Sequence, residues 1–174
     1  MKKTLNWGIL GTSFISGEMA DAIVKEGNTH LYSVAGRSVA TLTEFANKYD
    51  IKNTFTDFDM LINDPYVDII YIALPNHIHH DYVIKAANAG KAVLCEKSLS
   101  IDMQKTQAAL AAVKENNTFF VEGLMYLTHP FINTIAETIK SGEIGEIKSI
   151  TGQYCAAIEQ FVNPDSKGAL YNLG

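Results

Sequence analysis

Two clusters in this chain could do chemistry, and some eighty residues separate them. The first is Gly11-Thr12-Ser13-Phe14-Ile15-Ser16, which follows an apolar run of Leu5, Trp7, Ile9 and Leu10. A strand, a tight turn and a helix start, in that order, gather unpaired backbone N–H groups at the positive end of a helix dipole. Phosphate is the natural guest there. Against the dinucleotide pattern Gly-x-Gly-x-x-Gly/Ala, Gly11 holds the first place, Ser13 the second and Ser16 the third. Both serines are small enough to admit a phosphate, though less closely than glycine would. Taken alone, these residues fit a phosphate site and a plain strand-to-helix turn equally well.

The second cluster is Cys95-Glu96-Lys97-Ser98, where an apolar strand ends on a carboxylate and an ammonium. Unpaired charges in such a place are costly. They form either a rim ion pair, worth little, or working groups. In the second case Lys97, partly desolvated against a flat cofactor ring, exchanges a proton with a substrate hydroxyl while hydride moves to a nicotinamide. Two further segments reach the same kind of strand end. Gly36-Arg37-Ser38 offers a fixed cation and a hydroxyl where a cofactor with a bare ribose 2′-hydroxyl meets an Asp or Glu, which favours NADP over NAD. Leu74-Pro75-Asn76-His77-Ile78-His79-His80 places three histidines in a turn with no evident carboxylate or thiolate as third ligand. A metal site is therefore not expected there; solvated loop histidines, or one beside a cofactor, fit better.

The elements that must position these groups alternate. Helical spacing runs from Phe14 toward Glu26, strand character follows at 31–35, and Ser38 caps a helix with Leu42, Phe45, Ala46 and Tyr49 on one face. A short strand at Thr54-Phe55 precedes a helix capped by Asp57. Asp68 to Ala73 and Ala92 to Cys95 are continuous apolar runs, as strands covered on both faces should be. Helices from about His80 to Ala89 and from Asp102 to Glu115 lie between them and a strand at 118–121. Repeated strand–helix units imply an α/β fold with a doubly wound parallel sheet, the Rossmann arrangement, over residues 1–122. In such sheets ligands gather at the carboxyl ends of the strands, where the strand order reverses. Residues 123–174 read as the beginning of a second α/β domain. A helix opens at His129-Pro130, a half-exposed strand spans Gly145–Tyr154, and Gly168–Gly174 starts another helix.

Composition narrows the function classes. A net charge of −5 without a Lys/Arg run argues against nucleic acid and anionic membranes as partners. Two distant cysteines make neither a disulfide framework nor a zinc site, and no signal-peptide pattern or uninterrupted apolar span is present. A cytoplasmic protein is expected.

The turn at Gly11, the run Pro75-Asn76-His77-Ile78-His79 and the pair Glu96-Lys97 occur in the order found in Gfo/Idh/MocA oxidoreductases, which the whole chain resembles. The resemblance implies a Rossmann domain followed by a larger α/β domain, and hydride transfer between NAD(P) and a sugar, polyol or cyclic diol. It implies Lys97 as the catalytic or substrate-orienting lysine, Glu96 near the nicotinamide ribose, and Leu74, Pro75, Asn76 and His79 in the cofactor-contacting loop. Glu122-Gly-Leu-Met-Tyr-Leu-Thr-His-Pro130 is most similar to the branch containing dihydrodiol and D-xylose dehydrogenases, which use NADP. Ser98 stands where proline usually follows the lysine, and Leu127 where an arginine is common. Asn172 takes the place of a substrate-site Asp and can hydrogen-bond without serving as a base; His129 is a second candidate substrate contact. Members of the family carry a complete second domain that forms the substrate floor and commonly a dimer interface. The resemblance thus implies a homo-oligomer for the full-length form, and a fragment or truncated product, poorly active alone, for this chain. A nucleotide-binding sensor or regulatory module without turnover is the alternative.

Overall fold

The computed structural model describes residues 4–157 together with Asp165 and Gly168. Six parallel strands form one sheet in the order β3-β2-β1-β4-β5-β6. The strands are β1 (Leu5–Leu10), β2 (Thr29–Ala35), β3 (Asn53–Phe55), β4 (Ile69–Ile72), β5 (Ala92–Cys95) and β6 (Phe120–Glu122). Between them run α1 (Phe14–Glu26), α2 (Val39–Lys48), α3 (Phe58–Ile62), α4 (His79–Asn88) and α5 (Met103–Glu115). The order reverses between β1 and β4, which is where a doubly wound sheet opens a crevice.

Each face of the sheet buries its own core. Ile9, Leu31, Val34 and Tyr71 pack against Ala20 and Ile23 of α1 and Leu42 and Phe45 of α2. On the other face Leu10, Ile70, Ile72 and Val93 meet Leu61 of α3, Val83 of α4 and Ala109 of α5. This two-sided burial is why the central strands read as unbroken apolar runs rather than as alternating ones. Local signals end the helices where expected. The side chain of Ser38 accepts from Thr41 N, that of Asp57 from Asp59 N and that of Asp102 from Lys105 N. Gly27 and Gly142 close α1 and α6 (Pro130–Ser141) at φ of 69° and 75°, left-handed values that suit glycine.

The strand expected over Gly145–Tyr154 does not form. These residues are exposed and carry no regular secondary structure. An alternating segment becomes a strand only beside a neighbour that pairs its N–H and C=O groups and covers its apolar face. Among the described residues no such neighbour lies alongside it. The helix expected from Gly168 to Gly174 falls outside the described residues apart from Gly168 itself.

Candidate functional site

The register aligns the carboxyl ends of the strands. Leu10 pairs with Ala35 and Ile72, Ala35 with Phe55, Ile72 with Cys95, and Cys95 with Glu122. The residues that follow each strand, Gly11, Gly36, Ala73-Leu74, Glu96 and Gly123, therefore emerge along one edge. Segments far apart in sequence become neighbours through this row alone.

At the reversal point Gly11 adopts φ +106°, and a Cβ there would lie 2.7 Å from the Ala73 carbonyl oxygen. Only glycine fits, because the turn is both left-handed and pressed against the next strand's exit. Gly11 N donates to Ala35 O at 2.8 Å, and the Thr12 and Thr41 hydroxyls lie 3.1 Å apart, tying the turn to α2. The two serines standing for glycines in the fingerprint use each other. Ser13 N donates to Ser16 Oγ at 3.2 Å, their hydroxyls are 3.2 Å apart, and Ser16 is fully buried. Ser16 thus spends its hydroxyl on the cap. As at any helix start, the amides of Phe14 and Ile15 have no partner within the helix and face outward for an anion. Phe14 is 79% exposed beside them. Arg37 and Ser38 are exposed just past β2, and Ser38 Oγ is engaged as the α2 cap.

Beyond β5 the carboxylate of Glu96 is held at both oxygens. Tyr71 OH donates to Oε1 at 2.7 Å, and Lys97 N to Oε2 at 3.3 Å. A Cβ on Gly123 would lie 3.3 Å from the same Oε1, so the backbone leaving β6 passes close. Burial and then the bond to Glu96 push the Tyr71 phenol far above its ordinary value, so it stays protonated and donates at all working pH. Leu99 N donates to Glu122 Oε1 at 2.8 Å, which pins the far side of the Lys97 turn. Lys97 is exposed, so protein alone does not supply the desolvation expected for it. A cavity of about 380 Å³ opens beside Glu96, lined chiefly by Ile15, Met19, Tyr71, Leu94 and Leu124. A larger one of about 540 Å³, between α2, β3 and α3, is lined by none of the candidate residues.

Tyr71→Phe removes a donor from Glu96 without changing the core shape. A threefold to tenfold weakening of NADPH binding is expected, the ~0.5–1.5 kcal/mol of one hydrogen bond. Fluorescence titration reads it; unchanged affinity at unchanged fold would show that the Glu96 orientation is irrelevant to the cofactor.

The three histidines do separate things. His79 is 1% exposed, with Nδ1 2.8 Å from Ser98 O and Nε2 2.5 Å from Leu74 O, so its ring stands behind the loop between two carbonyls. His80 is buried with Nε2 3.2 Å from Asp81 Oδ1. His77 is half-buried in the 3-10 turn of Asn76–Ile78. Leu74 and Pro75 are half-buried at the edge and Asn76 is buried. His129 caps α6, its Nδ1 accepting from Phe131 N at 3.2 Å. Asn172 lies outside the described residues. Sequence reasoning missed Tyr71 and Glu122 as site residues. Tyr71 sits within a strand that reads as core, its hydroxyl the one polar group amid apolar neighbours. Glu122 lies just past the strand expected at 118–121 and stood out only as the first residue of the run to Pro130.

The family described as "Oxidoreductase family, NAD-binding Rossmann fold" (Gfo/Idh/MocA) matches residues 5–124. The chain belongs to this family. Its relatives include the D-xylose 1-dehydrogenase (NADP(+)) 2 of Haloferax volcanii, 31% identical over 85% of this chain and 45% of the relative. The trans-1,2-dihydrobenzene-1,2-diol dehydrogenase of Bos taurus is 26% identical over 86% of this chain and 45% of its own length. An NAD binding oxidoreductase from Klebsiella pneumoniae superposes with a TM-score of 0.76 at 30% identity, over 83% of this chain and 40% of that one. The chain spans about half the length of the curated relatives it matches. The Gfo/Idh/MocA fold places NAD(P) binding with this sheet, and among the described residues no helix is long and apolar enough to cross a membrane.

Proposed function

We propose that this Gfo/Idh/MocA chain binds NADP across the carboxyl edge of the sheet and serves hydride transfer to or from a sugar, polyol or cyclic diol. The pyrophosphate lies over the amides after Gly11, with Thr12, Ser13, Phe14 and Ile15 around it. The 2′-phosphate meets Arg37 and Ser38, and the loop Leu74-Pro75-Asn76 borders the cofactor. Its nicotinamide end would lie toward Glu96, and Lys97, next along the same edge, would hold and pass on the proton of the substrate hydroxyl. One observation carries this reading: the common strand-end row puts Gly11 and Glu96-Lys97 on the same edge, although they are far apart in sequence. The nicotinamide supplies the hydride chemistry when bound. The chain's own groups orient it, and the ring laid against Lys97 would lower the exposure of that side chain. The NADP(+) dependence of the D-xylose 1-dehydrogenase relative supports the cofactor choice, and that enzyme and the dihydrodiol dehydrogenases support the substrate class. His129 and Asn172 stand as candidate substrate contacts, and residues 123–174 as the beginning of a substrate domain that in the full-length form also carries subunit contacts.

Titration with NADPH and NADH tests the reading. NADPH is expected to bind about tenfold tighter, because a guanidinium on a 2′-phosphate makes charge-assisted bonds. Arg37→Glu is expected to remove that preference or reverse it. Binding of neither cofactor would end the proposal, and preference for NADH in the unmodified chain would end its NADP part.

A further inference from the structure

The chain itself holds the His79 ring, buried and set between two backbone carbonyls. Past the last ladder bond, from Glu96 N to Ile72 O at 2.9 Å, the segments leaving β4 and β5 diverge. The His79 ring stands between them, with the Leu74 carbonyl on one nitrogen and the Ser98 carbonyl on the other, at 2.5 and 2.8 Å. Leu74 opens the loop Pro75-Asn76, and Ser98 ends the turn carrying Glu96 and Lys97. The ring is buried, so water does not compete for either carbonyl. Burial is the larger influence and lowers the imidazole pKa against the pull of the two carbonyls, Glu96 and Glu122. The neutral ring carries one N–H and donates to one carbonyl at a time, and only the imidazolium donates to both.

We propose that His79 is a positioning residue whose buried ring ties the Leu74 loop to the Ser98 carbonyl and so holds Glu96 and Lys97 at their place along the crevice. The proposal rests on the cofactor reading above for its effect on affinity, but the tie itself is a property of the chain without ligand. Glu122 fixes Leu99 N from the β6 side. Together the two side chains grip the turn from opposite directions, one at its carbonyl and one at its amide. That grip matters because the backbone it holds is the one that carries Glu96 and Lys97 past the end of β5.

Three variants separate the links. His79→Ala removes both. His79→Asn sets an amide N–H near the place of Nδ1 and keeps the tie to Ser98. His79→Gln reaches the place of Nε2 and keeps only the tie to Leu74. Two measurements are made on each: amide hydrogen exchange along the chain, which needs no cofactor, and NADPH affinity. His79→Ala is expected to speed exchange at residues 97–99 about tenfold, leave β1 and α5 unchanged, and weaken NADPH binding about tenfold. His79→Asn recovers protection at 97–99 and most of the affinity; His79→Gln does not. Wild-type affinity and local exchange in His79→Ala would overturn the proposal. So would protection lost evenly over the whole chain, the mark of a histidine that only fills the core, or His79→Asn behaving like His79→Ala. If the unmodified chain binds neither NADPH nor NADH, the functional reading fails, and the exchange pattern alone decides for or against the tie.

Discussion

Lys97→Ala is expected to lower turnover of D-xylose or a cyclic diol by about 10²–10⁴-fold, the usual contribution of a positioned proton-transfer group. NADPH affinity should change little, because in the proposed reading the dinucleotide's phosphates and ribose go to Gly11, Arg37 and Glu96 rather than to the ammonium. The comparison is a ratio between two forms of the same chain, so it stands at whatever rate the unmodified chain turns over. A loss confined to KM would mean that Lys97 orients substrate without relaying a proton. An unmodified chain that binds NADPH and turns over no substrate would move the function to the sensor class, where Lys97→Ala has nothing to lose.

Gly11→Val should be the most damaging single change at the crevice. The residue sits at φ +106°, and even a bare Cβ would lie 2.7 Å from the Ala73 carbonyl oxygen, a backbone atom that cannot swing aside. A branched side chain must therefore force the β1 and β4 exits apart or push the turn into another conformation. Strain of this kind and the lost packing together are expected to destabilise the fold by about 3 kcal/mol, or lower Tm by about 10 °C for a chain of this size. NADPH binding should be lost even at temperatures where the variant stays folded, because the amides of Phe14 and Ile15 would no longer face the pyrophosphate. Calorimetry and titration read the two effects separately. A folded variant that binds NADPH normally would show that the cofactor does not use this turn.

Burial pushes the Cys95 thiol up, and Cys95 lies directly before Glu96 with its sulfur 3.3 Å from Glu96 O. Its side chain is fully buried in the core shared with Val83 and Ala109 and therefore adds bulk there rather than a nucleophile.

Read in order, the residues themselves were enough for the parallel sheet, its helices and the polar strand ends at Gly11, Arg37, Asn76 and Glu96-Lys97. Apolar runs bounded by Gly, Pro, Ser and Asp specify elements through short-range forces, and a strand that ends on a charged pair announces a rim. Composition argued against nucleic acid as a partner and said nothing of which ligand the edge takes. What the linear pattern left open was every relation that depends on distance across the fold. The inward turn of His79 follows from two carbonyls that converge only once β4 and β5 are paired. The Tyr71–Glu96 bond joins residues 25 apart through the same pairing. Ser16 read as a degenerate glycine, yet its hydroxyl closes a cap that becomes visible only when the helix is built. The segment at Gly145–Tyr154 failed in the opposite sense: its alternation is a strand's, but a strand exists only when a neighbour takes its hydrogen bonds, and no local sequence supplies that neighbour.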